Sequence, residues 1–174
     1  MASKKLTLAL LKEDAKKTEK KQRVQLTEDI HAFIYPVFAP SKIKDMTEEF
    51  LRDYVHAEEK NLDLKKIPYP DWLTFHLIKT FSDLEIPKEI NKKLALFLEI
   101  RDAEFYSKLV QAFPQESIVK AIETATALLE QVQKIIKHEG GKLDLKKADK
   151  AIEETLAKGI EESEELTKTI AEED

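Results

Sequence analysis

Four histidines, His31, His56, His76 and His138, are the side chains of this sequence whose ordinary titration lies near neutrality, and no cysteine accompanies them. Metal binding asks for ligands that converge, as two histidines one helical turn apart do, and no pair here has that spacing. His56 stands near Glu58 and Glu59, three neighbours that point in different directions on a helix and read as a solvated face. His76, among Trp72, Phe75 and Ile78, reads as a half-buried, hydrogen-bonded structural histidine. The adjacent carboxylates Glu48/Glu49 and Glu58/Glu59 likewise point apart on an exposed helix and do not form an acid/base pair. Glycine occurs only at 140, 141 and 159, so there is no phosphate-cradling loop and no Gly-x-Ser-x-Gly elbow. Absence of cysteine removes disulfides, thiolate ligands and cysteine nucleophiles. The sequence therefore offers no catalytic, cofactor-binding or metal residue, and points to a protein that works by binding other proteins.

The elements that must present such a binding surface are helical. With 36% charged residues, 42% hydrophobic ones and three glycines in 174 residues, helices with wide solvated faces fit better than a glycine-turned sheet. The length suits one domain, since domains run roughly 100–200 residues. No apolar run approaches the ~20 residues that span a bilayer. The stretch 6–11 is too short, and too soon followed by charge, for a signal peptide; the expected location is the cytoplasm, with no membrane partner. Charge is unevenly distributed. Residues 1–23 carry eight Lys/Arg against three acids, a balance of +5, and residues 140–174 carry six lysines against eleven acids, a balance of −5. Arginine is scarce (Arg23, Arg52, Arg101), no aromatic residue interleaves with the lysines of 4–23, and the remainder is acidic. Nucleic acid is thus disfavoured as a partner, and a small regulatory or nucleic-acid-associated protein using the basic arm stands as the second reading.

Along the chain, 1–23 is a basic, partly flexible leader in which Leu6, Leu10 and Leu11 recur at near-helical spacing. Val24 and Leu26 alternate with polar residues, and Ile30-His31-Ala32-Phe33-Ile34-Tyr35 follows a polar turn, predicting a β-hairpin over 24–35 that Pro36 ends. Ser41, as N-cap, opens a helix with its stripe at Ile43, Met46, Phe50, Tyr54 and Ala57. A loop over 61–67 and the Pro68-Tyr69-Pro70-Asp71 turn precede a second helix (Trp72, Phe75, Leu77, Ile78, Phe81) ending at Ser82-Asp83. Pro87 fits the first turn of a third (Ile90, Leu94, Phe97, Leu98). A break at Arg101-Asp102 separates a fourth over 103–113 from a fifth over 114–138. Gly140-Gly141 reads as helix stop and hinge. The expected fold is mainly α: a compact domain of about five helices over 24–139, with the short N-terminal hairpin, and a hinged, acidic, mobile C-terminal helix over 140–174.

Three stretches carry a resemblance: Ile34-Tyr35-Pro36-Val37-Phe38-Ala39-Pro40-Ser41-Lys42-Ile43, then His76-Leu77-Ile78-Lys79-Thr80-Phe81-Ser82-Asp83-Leu84, then Phe105-Tyr106-Ser107-Lys108-Leu109 with Phe113-Pro114. In this order they resemble the tail assembly chaperones of long-tailed phages and prophages of Gram-positive bacteria, over residues 24–136. Ser82 stands where that family's turn has threonine, and the shared residues are packing and turn residues. The resemblance implies a chaperone of the host cytoplasm that binds the long, hydrophobic tape-measure protein and helps recruit tail-tube subunits.

Candidate partner-binding side chains are the aromatic and aliphatic residues of the hairpin and stripes: Phe33, Tyr35, Phe38, Ile43, Trp72, Phe75, Leu128, Ile135 and Leu156. Self-association is expected too, because the hairpin offers a free edge and the helix over 115–137 has more apolar surface than short neighbours cover.

Overall fold

A computed structural model describes residues 5–138 of the chain, without the side chains of 131–133 and 135–138. Helix α1 (Leu8–Ala15) runs into one turn of 3-10 helix (Lys16–Glu19) and then strands β1 (Gln22–Gln25) and β2 (His31–Ile34). Helices α2 (Pro40–Glu59), α3 (Tyr69–Phe81), α4 (Ile90–Ile100), α5 (Glu104–Ala112) and α6 (Gln115–His138) follow. The fold is mainly α with a two-stranded antiparallel sheet, as the residue patterns predict. The expected hinge and C-terminal helix over 140–174, with Leu156, lie outside the described residues.

α2 organises the body, packing on α3, α4 and α6. Its inner face is Ile43, Met46, Thr47, Phe50, Leu51, Asp53, Val55 and Ala57, the three-and-four spacing of a buried helical stripe. The cap is Ala39, with Pro40 inside the first turn, and not Ser41, whose hydroxyl makes no capping bond; proline's fixed φ and missing N–H suit that position. The C-terminus closes with Leu62 N–H donating to Ala57 O (2.8 Å) and Asn61 N–H to Glu58 O (3.2 Å). This paired closure needs a left-handed residue between, which Asn61 supplies at φ 54°. α3 is covered nearly all round, by burial of Trp72, Leu73, Phe75, His76, Leu77, Ile78 and Phe81. Pro87 lies ahead of α4, whose cap is Glu89.

β1 and β2 pair with Gln22 opposite Ile34 and Gln25 opposite His31, two residues earlier than the sequence suggests. One face, with Ala32 and Ile34 buried and Val24 and Leu26 beside them, rests on the core. The outer edge of β2 is not free, which corrects the expectation of an open hairpin on that side. Tyr35 N–H donates to Phe81 O (2.8 Å) and Asp83 N–H to Phe33 O (3.0 Å), while Phe33 N–H donates to Asp83 Oδ1 (2.9 Å). The chain leaving α3 thus acts as a third, minimal strand. Ser117 Oγ donating to Pro36 O (2.7 Å) ties the strand exit to α6.

Candidate functional site

The chemistry-bearing residues that the fold brings together are not those that sequence spacing favours. Asp53 of α2, His76 of α3 and Lys93 of α4 meet inside the protein at 2%, 0% and 1% exposure. Lys93 Nζ donates to Asp53 Oδ1 (2.8 Å) and Oδ2 (2.9 Å) and to Glu49 Oε1 (2.6 Å). His76 Nε2 lies 2.9 Å from Asp53 Oδ2, and Lys79 closes the outer end through Glu49 Oε2. Rings wall the inner end: Phe50, Trp72 and Phe75 all stand with their centroids within 6.3 Å of the imidazole.

Burial pushes the His76 pKa down, against the opposing pull of Asp53, so the ring is neutral at pH 7. A neutral ring whose Nε2–H is donated to Asp53 leaves only a lone pair on Nδ1, and Nδ1 has no hydrogen-bond partner among the described residues. That orphan acceptor costs less than a buried N–H without an acceptor. Burial also pushes Glu49 up, but hydrogen bonds from Lys79 and Lys93 outweigh it and hold the carboxyl at about 2. Glu49 therefore keeps its charge between Lys79 and Lys93, and His76 is the neutral end of the network. A substrate cannot reach Asp53 or His76 without opening the core; the network joins α2, α3 and α4, and removing Lys93 from it would strand the buried Asp53 charge.

His76 is thus fully enclosed and not half-buried. Lys93, absent from the expected α4 stripe, takes an inner position, while Leu98 is 50% exposed. A single lysine one turn from Ile90 and Phe97 carries no mark of burial in sequence; only Asp53 and Glu49, forty or more residues away, explain it.

A cleft of about 410 Å³ lies between α3, α4 and α5, lined by Asp71, Thr74, Phe97, Arg101 and Tyr106 among others. Burial and the nearby Asp71 carboxylate push the Tyr106 phenol up, and its hydroxyl is buried with no partner among the described residues. Among the described residues, no cluster of three or more His, Cys, Asp or Glu could hold a metal ion, and no helix is long and apolar enough to cross a membrane.

The partner-binding candidates divide by depth. Phe38, Ile43, Trp72 and Phe75 are 0–4% exposed, so they are core residues and the assignment is corrected: a partner cannot touch them while the core stays closed. Phe38 stacks on Phe81 (3.8 Å, 11°) and Trp72 on Phe75 (5.0 Å, 24°). Phe33, Tyr35 and Leu128 are half-buried, and the side chain of Ile135 lies outside the described ones. Bulk and helical spacing select core and surface anchors alike, which is why sequence did not separate them.

Two surfaces remain open. α1 buries no residue, and Leu6, Leu8, Leu10 and Leu11 are 68%, 67%, 40% and 50% exposed. The second is the outer face of the hairpin, where Arg23, His31 and Phe33 point away from the core. Lys21 Nζ stands 6.0 Å from the Phe33 ring centre and 5.5 Å from that of Tyr35, and Lys42 Nζ stands 4.4 Å from the Tyr35 ring centre. Sequence missed this juxtaposition because the rings come from β2 and its exit, not from the lysine-rich leader.

The architecture defines a mainly α-helical protein with an enclosed charge network and, in α1, a helix that buries none of its residues. The chain belongs to the YomO family, whose model matches residues 8–174. The SPbeta prophage-derived protein YomO of Bacillus subtilis (strain 168) is 44% identical over 132 residues, which cover 76% of this chain and 79% of that protein. The family and this relative mark the chain as a phage-related protein. No solved structure matches it.

Proposed function

We propose that this chain is a non-enzymatic assembly chaperone of phage tail morphogenesis, which binds an apolar helical segment of the tape-measure protein and assists recruitment of tail-tube subunits. The observation that carries the reading is α1, an eight-residue helix with exposed leucines and no buried side chain. A leucine-bearing helix that buries none of its residues among the described ones suits pairing with a partner helix. Each leucine such a partner buries contributes roughly 1.5–3 kcal/mol, against the cost of association. The prophage origin of the relative and the resemblance of residues 24–136 to tail assembly chaperones support the same assignment.

Co-expression with the tape-measure protein encoded in the same genome tests it. The expected result is a larger soluble fraction of tape-measure protein, lost when Leu8 and Leu11 are both changed to Asp. A tape-measure protein that stays insoluble with and without this chain sinks the proposal.

A further inference from the structure

We propose that the outer face of the β-hairpin is a binding site for single-stranded nucleic acid, with Phe33 and Tyr35 as base-stacking platforms and Lys21, Arg23 and Lys42 as phosphate contacts. This site is separate from the leucines of α1 and stands or falls without them.

Alternation along β2 places His31 and Phe33 on one side of the strand, while Ala32 and Ile34 are buried. Tyr35, one residue past the strand, is half-buried, with one part of its ring against the core and Lys21 and Lys42 beside it. Two residues of strand advance about 7 Å, so the two rings are spaced for successive bases of an extended strand and too far apart to stack on each other. Among the described residues, Lys21, Arg23 and Lys42 form no ion pair with a carboxylate. The buried and half-buried lysines of the body, Lys93 and Lys79, are by contrast held by carboxylates. The hairpin cations instead lie on or beside rings: Lys42 Nζ is 4.4 Å from the Tyr35 ring centre, and Arg23 Nη2 is 3.4 Å from His31 Nδ1. His31 in turn stands edge-on to Phe33 at 5.4 Å.

Unpaired cations alone would suit any polyanion, an acidic peptide included. Half-exposed rings between them select a ligand with flat faces, because a base stacks where a carboxylate has nothing to offer. A duplex hides its base faces, so the ligand is single-stranded. The net charge of −5 opposes a polyanion at a distance, but charges farther than about 8 Å are screened at physiological salt, leaving the local cations to decide.

The test is fluorescence anisotropy with the full chain and end-labelled oligo-dT and oligo-U of about twelve nucleotides, within the usual site size of such surfaces, at about 50 mM salt and upward. Binding of either is expected, the tighter one naming DNA or RNA. Phe33→Leu and Tyr35→Leu should each weaken it at least about fivefold, the low end of a lost stacking platform. Three phosphate contacts give a slope of log K against log salt of about −2, and Lys21→Gln with Arg23→Gln brings it to about −0.7. Those two exposed positions cannot disturb the core, so they keep the test sharp if a ring variant melts early. No binding at low salt overturns the proposal, as does a duplex binding as tightly as the single strand. Ring variants that fold and bind unchanged also overturn it. So does a peptide of residues 140–174 that occupies the face while the ring variants leave its affinity untouched, which would make this an acidic-peptide surface.

Discussion

Lys93 and Lys21 carry the same ammonium group into opposite surroundings. Lys93 is 1% exposed and donates to two carboxylates; Lys21 is exposed, and its near neighbours are the rings of Phe33 and Tyr35. The difference comes from the elements that deliver the neighbours. α2 carries Glu49 and Asp53 four residues apart, hence on one face, and α4 must place a cation there or leave Asp53 uncompensated in the interior. β2 delivers rings instead, so nothing on the hairpin face neutralises the leader's charge. The helical body thus encloses Lys93 among carboxylates, and the hairpin leaves Lys21 beside rings.

The largest effect that could break this comparison is Lys93→Met. It leaves Asp53 buried without its cation, and removal of one partner from a buried pair costs about 3–5 kcal/mol. Lys21→Met, on the surface, should stay within about 0.5 kcal/mol of the parent chain. Urea denaturation of both variants checks the contrast, and equal midpoints would mean that the network holds nothing in place. Leucine offers a second contrast. Leu73, 2% exposed, should cost about 2–5 kcal/mol on replacement by Ala, whereas Leu8→Ala should leave the melting temperature unchanged.

Acid sharpens the same comparison. His76 has a folded pKa below its ordinary value, 6.5. Unfolding therefore takes up a proton as pH falls below 6.5, and stability declines over that window. Glu49, at about 2 in the folded protein against 4.5 ordinarily, contributes stability that is present above 4.5 and lost as pH falls toward about 2. Both terms have one sign, so thermal melts should fall in two stages on acidification. His76→Gln, whose amide can still donate to Asp53, should flatten the upper stage and spare the lower. An unaltered profile in this variant would show that His76 titrates as it does in water.

How much of this was legible beforehand depends on range. Local signals worked in the main: Pro68 at a helix start, Asn61 after α2, the break at Arg101-Asp102, and the polar turn of the hairpin all act through their own backbone preferences, whereas Ser41 is not the cap of α2. Long-range pairings did not. Lys93 is unremarkable until Asp53 is known to face it, and Phe33 looks like a generic apolar anchor until Lys21 lies over it. The size of Trp72 and Phe75 suits both an interface and a core, and only the packing of α2 and α4 around α3 decides between them. The sites therefore depend on tertiary neighbours to a degree that the elements themselves do not.

The smallest expected effect is the most specific to the leading helix. The Thr7 hydroxyl caps α1, accepting from Leu10 N–H at 3.3 Å, and an eight-residue helix with no buried side chain has little else to hold it, since isolated helices of that length are marginal in water. Thr7→Ala removes a cap worth about 1 kcal/mol. Because α1 contributes nothing to the core, that loss should appear as faster amide exchange at residues 8–12 and not as a lower melting temperature. A cap that mattered globally would instead shift the midpoint by about 2–4 °C, as 1 kcal/mol does in a domain of this size. Under the proposed function the same substitution should weaken partner capture roughly fivefold, since the partner must then order the helix that the cap no longer holds. A melting shift of several degrees, with capture unaffected, would place α1 in the body of the fold and erase the distinction between the two regions.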